Sequence, residues 1–456
     1  MFRSTRTKRL VRLTAVLAAA SAAALGLAGC SGSGAGSAGS ATSGNITWWG
    51  WTPQPNNAKT YIADFNKKYP NIHVTYKQVT IDGWNAALRP ALASSNGPDV
   101  FNISPGQYMT AFAGSAIDLK PAVEKALGSD WKSKLAPTNV TGLSTSSGKL
   151  AAVSAGSTSA GSLWINADLF KKYDLQPPKT LADWKNVCSV FKSHGVGCFV
   201  QGVGQVAFDQ DTLQSIADSV QPGMWTKATQ GKVKWTDPVF VKTLDIWKSM
   251  FKDGIFEDGA LGVQQYPDAS NDFMSQKYAM VMMGTWYMQY ATQDGMSAAI
   301  SAAGVGTPVK FPILPISFPD VAGKGNPATL FGDSDYGLAV NAKSKQQAAA
   351  TTFAVWLGTS KAGQQAIADG LNDIPSLKGV NANWDAIKLV DPTTQKSALT
   401  TLTQQATASS EPRLSTVSAN LQTAIGVAAT TVAAGKATPA QAVQTLQTAS
   451  TSAGSN

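Results

Sequence analysis

Histidine is nearly missing from this chain of 456 residues, which holds only His73 and His194. A serine or cysteine nucleophile that relies on a histidine base has almost nothing to pair with, and a zinc site built on imidazoles lacks ligands. Gly332-Asp333-Ser334 superficially resembles an esterase block, yet no histidine follows it. His-Glu-x-x-His, Gly-x-Ser-x-Gly and the glycine-rich phosphate loop with its lysine are all absent. Acidic residues number only 28, and no two stand out as an acid/base pair. A glycoside hydrolase needs just two carboxylates and stays open as an alternative. No repeat of fixed period is present, which counts against a surface adhesion module.

Charge is scarce as well. The formal net charge is +9, but Arg3, Arg6, Lys8, Arg9 and Arg12 supply five of those positives, leaving about +4 for the rest. The remaining lysines are spread along the chain, so no nucleic-acid surface is expected. What the start does contain is ordered. The basic residues precede an apolar, alanine-rich run over 13–27 that ends in Leu27-Ala28-Gly29-Cys30. That order predicts a secretory signal over 1–29, too short and alanine-rich for a retained membrane span. The ending resembles a bacterial lipobox, in which Cys30 becomes the lipidated first residue of the mature chain. Residues 31–44 are almost all Ser, Gly and Ala, a composition that cannot bury a core and predicts a flexible tether over 30–44. The expected location is the outer face of the cytoplasmic membrane, with a lipid anchor and no cofactor. Cys188 and Cys198 are the remaining cysteines, ten residues apart. In an oxidising compartment they read as a disulfide worth roughly 2–3 kcal/mol in the loop-entropy picture; two buried thiols are the alternative. His194 alone cannot complete a metal site, and none is expected.

Strand-like and helix-like segments then alternate over about 410 residues. Residues 46–49 read as a strand, and 58–69 as a helix with Tyr61, Ile62, Phe65 and Tyr69 on one face. Ile72, Val74 and Tyr76 alternate with polar residues, placing His73 on a strand surface. Residues 99–103 form the next strand. Thr180 with Asp183 reads as a capping box, and Asp237-Pro238 as a helix start. Residues 279–283 suit a strand buried on both faces. Residues 311–319 carry three prolines and read as an irregular crossing. Residues 336–340 read as a strand, Ser344 with Gln347 as the cap of the next helix, and the tail from Thr393 as helical in pieces. The alternation predicts an α/β protein with parallel-rich sheets flanked by helices.

Ligands of such sheets meet the carboxyl ends of the strands. Trp48, Trp49 and Trp51 follow the first strand, Gln107 and Tyr108 the third, and Trp286 and Tyr287 the 279–283 strand. Large aromatics beside amides suit a carbohydrate: a pyranose packs its C–H face on an indole, and its hydroxyls pair with amides and carboxylates. Each ring is worth about 1–2 kcal/mol by partial coverage of a tryptophan. Neighbouring strand residues face opposite ways, so Trp48 and Trp49 cannot share one role. Asp333 and Asp335 either hold vicinal hydroxyls or close a turn. Asp99, after Gly97-Pro98, and Glu411, before Pro412-Arg413, complete the candidates.

Several stretches together resemble a known family. These are Ile46-Thr47-Trp48-Trp49-Gly50-Trp51, Gly97-Pro98-Asp99-Val100, and Leu163-Trp164-Ile165-Asn166-Ala167-Asp168-Leu169-Phe170 followed by Pro178-Lys179-Thr180-Leu181-Ala182-Asp183-Trp184. A further block is Phe273-Met274-Ser275-Gln276-Lys277-Tyr278-Ala279-Met280 with Gly284-Thr285-Trp286, where Gln276 stands in place of the family's glycine. Trp164, Leu181 and Asp183 also depart from the pattern. The chain resembles the sugar-binding, solute-binding lipoproteins of bacterial ABC importers, whose members include maltodextrin binders. The resemblance implies a two-lobed periplasmic-binding-protein-like fold with a ligand cleft between lobes. It implies a non-enzymatic, monomeric protein that hands a mono- or oligosaccharide to an ABC permease once ligand has closed the lobes. By analogy the first lobe spans 45–153 and the second 154–306, with 307–334 returning to the first and 335–456 to the second. Crossings are expected near 153–156, Gly306 and Asp335. A peptide or polyol binder on the same fold is the remaining alternative.

Overall fold

The computed structural model describes residues 39–307 and 309–452. The expected signal segment, Cys30 and most of the tether lie outside the described residues. Twelve strands are described: β1 Gly44–Gly50, β2 Ile72–Gln78, β3 Val100–Ile103, β4 Val153–Ser154, β5 Gly156–Ala160, β6 Ser162–Asn166, β7 Gly197–Val200, β8 Tyr278–Met282, β9 Ile313–Ser317, β10 Phe331–Ser334, β11 Gly337–Val340 and β12 Ile374–Pro375. They form a five-stranded sheet in the order β2-β1-β3-β11-β4, a four-stranded sheet in the order β7-β8-β6-β9, and a three-stranded sheet in the order β10-β5-β12. Each of the two larger sheets is the centre of one lobe. The small sheet joins them: β4, β5 and β6 follow one another through all three sheets.

Local chemistry explains the framework. The helix Pro55–Lys68 starts with proline at its first turn and ends with Lys67 and Lys68, matching the helix dipole at that end. Its Ala58, Tyr61 and Phe65 are buried at helical spacing and pack on Trp48, Tyr336 and Phe353 in the first lobe. The helix Leu181–Ser193 carries the expected capping box, with the Thr180 hydroxyl and Asp183 carboxylate satisfying each other's backbone N–H groups. Asp237 caps the helix Pro238–Lys252 by accepting from the Val239 N–H. β8 is central to its sheet and buried, as its unbroken apolar run requires. Cys188 and Cys198 are joined by a disulfide that ties the helix 181–193 to β7, with Cα atoms 4.9 Å apart. Gln276 adopts φ 60°, the left-handed region where the resembling family has glycine.

Four expectations change. Three strand pairs are parallel and six antiparallel, so the sheets are mixed; β11 and β9 return against the direction of their neighbours after crossings. The 311–319 run is not irregular: β9 pairs with β6 on the outer edge of the second sheet, where Pro315 is tolerated because no further strand needs its N–H. The lobe boundaries after 306 exchange places. β9 belongs to the second sheet, not the first, and β11 with the helix Gln347–Thr359 belongs to the first, so Gly306 is no crossing. β10, which runs into the expected crossing at Asp335, and β12 both pair with β5 in the small sheet. Finally, Ser344 does not cap the following helix. Its hydroxyl donates to Asp99 and accepts the Gln346 N–H, while Gln347 reaches back to the Ala342 carbonyl.

The tail forms the helices Pro392–Ala408, Ala419–Ala433 and Pro439–Ser452. The first packs on β9, and the second on the helix Val206–Val220 of the second lobe. Among the described residues no helix is long and apolar enough to cross a membrane.

Candidate functional site

A cleft of about 940 Å³ opens between the two lobes and in front of the small sheet. Its first-lobe wall comes from the ends of β1 and β3. Inside β1 the side chains face the flanking layers. Trp48 is fully buried among Tyr76, Tyr336 and Phe353, and Trp49 lies on the other face with Lys77 Nζ 4.0 Å from its ring centre. Only past the end of the ladder does the chain turn, and Trp51 reaches the cleft, braced by Trp84 at 5.2 Å and Tyr108 at 5.3 Å between ring centres. The turn is fixed from behind. The Trp48 indole N–H donates to Asn102 at 2.8 Å, and the Asn102 amide donates to the Thr52 carbonyl at 2.6 Å. Gly50 is needed there, because a Cβ would lie 2.5 Å from that amide nitrogen. Gln107 lines the same wall.

The second-lobe wall is organised around Trp286, which follows β8. Its indole N–H donates to the Tyr266 hydroxyl at 3.0 Å, and the ring lies against Gly284, where a Cβ would sit 2.1 Å from Cζ3. Phe208 stands 6.3 Å away, and the Arg413 guanidinium lies 4.7 Å from the ring centre. Arg413 makes a two-pronged bond to Asp211, Nε and Nη2 each 2.7 Å from a carboxylate oxygen, with little exposure of either side chain. Burial is the strongest single pull and lowers the guanidinium, but the carboxylates of Asp211, Asp335 and Asp333 together raise Arg413 above its ordinary value. Arg413 therefore stays charged beside the aromatic wall, its charge matched by Asp211.

The small sheet and its flanks supply the floor. Asp333 accepts from the N–H groups of Arg413, Leu414 and Ser415 and from the Ser415 hydroxyl at 2.6 Å, so its oxygens are occupied in holding the 413–415 strap against β10. Burial pushes its carboxyl up against the pull of those donors. Asp335 accepts from the Thr158 hydroxyl at 3.3 Å and is pushed up to about 6 by burial, with Arg413 pulling the other way. Asp373 faces it and is raised well above its ordinary value by burial and by the Asp335 charge. Between these groups run amides. Asn372 accepts from Gln289 at 2.8 Å and from the Thr52 hydroxyl at 3.2 Å.

Of the sequence candidates, the structure gathers Trp51, Gln107, Trp286, Asp333 and Asp335 around one cleft. The other five lie elsewhere. Trp48 and Trp49 remain within the ladder, where side chains face helices rather than the strand end. Tyr287 is buried, because the turn after β8 sends it inward onto Trp164 and Tyr290; Tyr290 reaches the cleft instead. Asp99 precedes β3, at the end away from the cleft, and binds the Thr47 N–H at 2.8 Å and the Ser344 hydroxyl. Glu411 binds the Thr226 hydroxyl and lines a separate groove of about 580 Å³. Arg413, Phe208, Tyr266, Gln205 and Asn372 were not singled out, since each is an isolated polar or aromatic residue far along the chain from its partners. Among the described residues no group of His, Cys, Asp and Glu could hold a metal ion.

Comparison with known proteins agrees with this architecture. The chain is 24% identical over 294 residues to a galactooligosaccharide-binding protein of Bacillus subtilis, a stretch covering 63% of this chain. The matched stretches span 59% and 62% of the lengths of the two curated relatives. A solved structure from a study of xylan utilization by Caldanaerobius polysaccharolyticus superposes with a TM-score of 0.71 at 22% identity, over 89% of this chain and 99% of that one. The maltose/maltodextrin-binding domain from Bdellovibrio bacteriovorus bound to maltotriose superposes with a TM-score of 0.66 at 17% identity, over 90% of this chain and all of the other. These likenesses establish the two-lobed fold. Residues 48–364 match the model of a family of binding proteins rather than enzymes, and the chain belongs to that family, the bacterial extracellular solute-binding proteins.

Proposed function

We propose that this protein captures a neutral oligosaccharide between its lobes and delivers it to an ABC import permease, anchored to the membrane through lipid on Cys30. The observation that carries the reading is the pair of aromatic walls. Trp51, with Tyr108, comes from one lobe and Trp286, with Phe208, from the other, and both line one cleft. Each indole gives a pyranose ring a C–H-binding face worth about 1–2 kcal/mol. Gln107, Gln289 and Asn372 add amide donors and acceptors for hydroxyls. A volume of about 940 Å³ lies at the upper end of small-molecule sites, which favours more than one ring. The charged residues of the lining are Asp82, Asp333, Asp335 and Arg413, the last matched by Asp211, so an acidic sugar meets unfavourable charge. The named ligands of the relatives, galactooligosaccharide and maltotriose, are carbohydrates of this kind.

A ligand that touches both walls binds the closed form better than the open one and shifts the population toward closure. The permease would then read the closed form. Tryptophan fluorescence and calorimetry on a panel of neutral oligosaccharides, uronic acids, peptides and polyols test the reading. A saturable response to a neutral oligosaccharide is expected. Responses confined to a peptide or polyol would assign another ligand class.

A further inference from the structure

Among the described residues three direct side-chain bonds, from Gln54, Asn57 and Gln205, join opposite lobes, and they differ in where they sit. Gln54 donates to the Tyr290 hydroxyl at 3.1 Å, and Asn57 donates to Gln289 at 3.4 Å. On the closure reading the small sheet is the hinge, and Gln289 also donates to Asn372, beside its strand β12. The third contact joins Gln205 of the second lobe to Asp82 of the first, and neither residue is tied to the hinge strands. A contact remote from a hinge breaks after a small rotation.

Gln205 is mounted for this contact. Its Oε1 accepts from the Gln265 N–H at 2.8 Å and the Tyr266 N–H at 3.2 Å, which fixes the amide orientation and leaves Nε2 to donate outward to Asp82. The loop beneath is pressed onto residues 263–265. Gly204 N–H donates to the Val263 carbonyl at 2.9 Å, Gly202 N–H donates to Gln265 Oε1 at 2.7 Å, and a Cβ on Gly202 would lie 1.9 Å from the Gln265 nitrogen. Gln205 then opens the buried helix Val206–Val220. Asp82 sits in the turn that starts the helix Trp84–Ala93, held by the Trp84 N–H on the Ile81 carbonyl at 3.3 Å. A rigid donor on one lobe thus meets a carboxylate on the other.

We propose that Asp82 and Gln205 form a clasp across the cleft that engages when the lobes close and raises solute affinity by favouring the closed form. This rests on the closure reading above. The geometry dictates a swap test. Gln205→Glu keeps an oxygen for the two N–H donors but turns a second oxygen toward Asp82, replacing attraction with like charge. Adding Asp82→Asn restores a donor opposite an acceptor with the direction reversed. Single-molecule energy transfer between dyes on cysteines introduced at the exposed Ser95 and Lys232 reads lobe separation in the ligand-free full chain. Gln205→Glu is expected to shift the distribution toward open, and the double variant to return it to wild type. For whichever panel sugar saturates the wild type, affinity should fall roughly fivefold in the single variant and recover in the double. An unchanged distribution in Gln205→Glu, or a double variant no better than the single, overturns the clasp. A direct sugar contact by Gln205 would not be rescued from Asp82. If no sugar binds at all, the sugar reading fails, while the ligand-free distances still decide the clasp.

Discussion

The two walls of the cleft present similar rings and support them by different physics. In the first lobe Trp51 leans on Trp84 and Tyr108, and its turn is anchored by one buried amide, Asn102. In the second lobe Trp286 rests on a polar scaffold. The helix Val206–Val220 buries Asp209, Gln210, Asp211, Thr212 and Gln214, and the strap at 413–415 is bound to it and to Asp333. An apolar brace loses only contact area when cut. A buried ionic brace leaves an unpaired charge behind.

That contrast can be broken in order of expected size. Arg413→Ala strands the Asp211 carboxylate and should cost about 3–5 kcal/mol of stability in denaturant unfolding. Tyr108→Ala on the first-lobe wall also costs stability, and a loss as large as that of Arg413→Ala would erase the contrast. Next come the rings themselves. Trp51→Ala and Trp286→Ala should each weaken oligosaccharide binding about tenfold in calorimetry, by roughly 1–2 kcal/mol of lost ring contact.

A pH effect follows from the floor of the cleft. Asp335 is raised to about 6 and Asp373 is raised well above its ordinary value, both first of all by burial. A carboxyl raised on folding gives stability that is fully present below its unfolded value and is lost as pH rises through its folded one. These groups therefore make the protein more stable at pH 5 than at pH 7, and Asp218, also raised to about 6 by burial, acts in the same direction. Melting temperatures across that window should slope downward with pH, and Asp373→Asn should flatten the slope. The smallest effect is expected at Trp49. Trp49→Ala should leave sugar affinity within about twofold, since the ring lies under Lys77 rather than in the cleft.

Much of the framework was legible because it follows local rules. The capping box at Thr180, the Asp237-Pro238 helix start, the buried β8 run and the paired cysteines all came from short stretches of sequence. The positions after strand ends pointed to Trp51, Gln107 and Trp286. Legibility failed where the determining partner is distant. Asp333 reads either as a ligand carboxylate or as a turn residue, and neither reading foresees the 413–415 strap that it holds from 80 residues away. The helix over 206–220 has an apolar face of Leu213, Ile216 and Ala217, but nothing local shows that its polar face is buried too; the partners there, Gln201, Asp320 and Arg413, come from three other segments. The lobe exchange after 306 was hidden for a similar reason, because Pro315 disguises an edge strand.

The most direct measurement is a crystal structure of the full-length protein with an oligosaccharide that saturates it. A bridging sugar predicts one ring against Trp51, another against Trp286, and the lobes closed on both. Density for the sugar against a single lobe, with the opposite indole untouched, would contradict it.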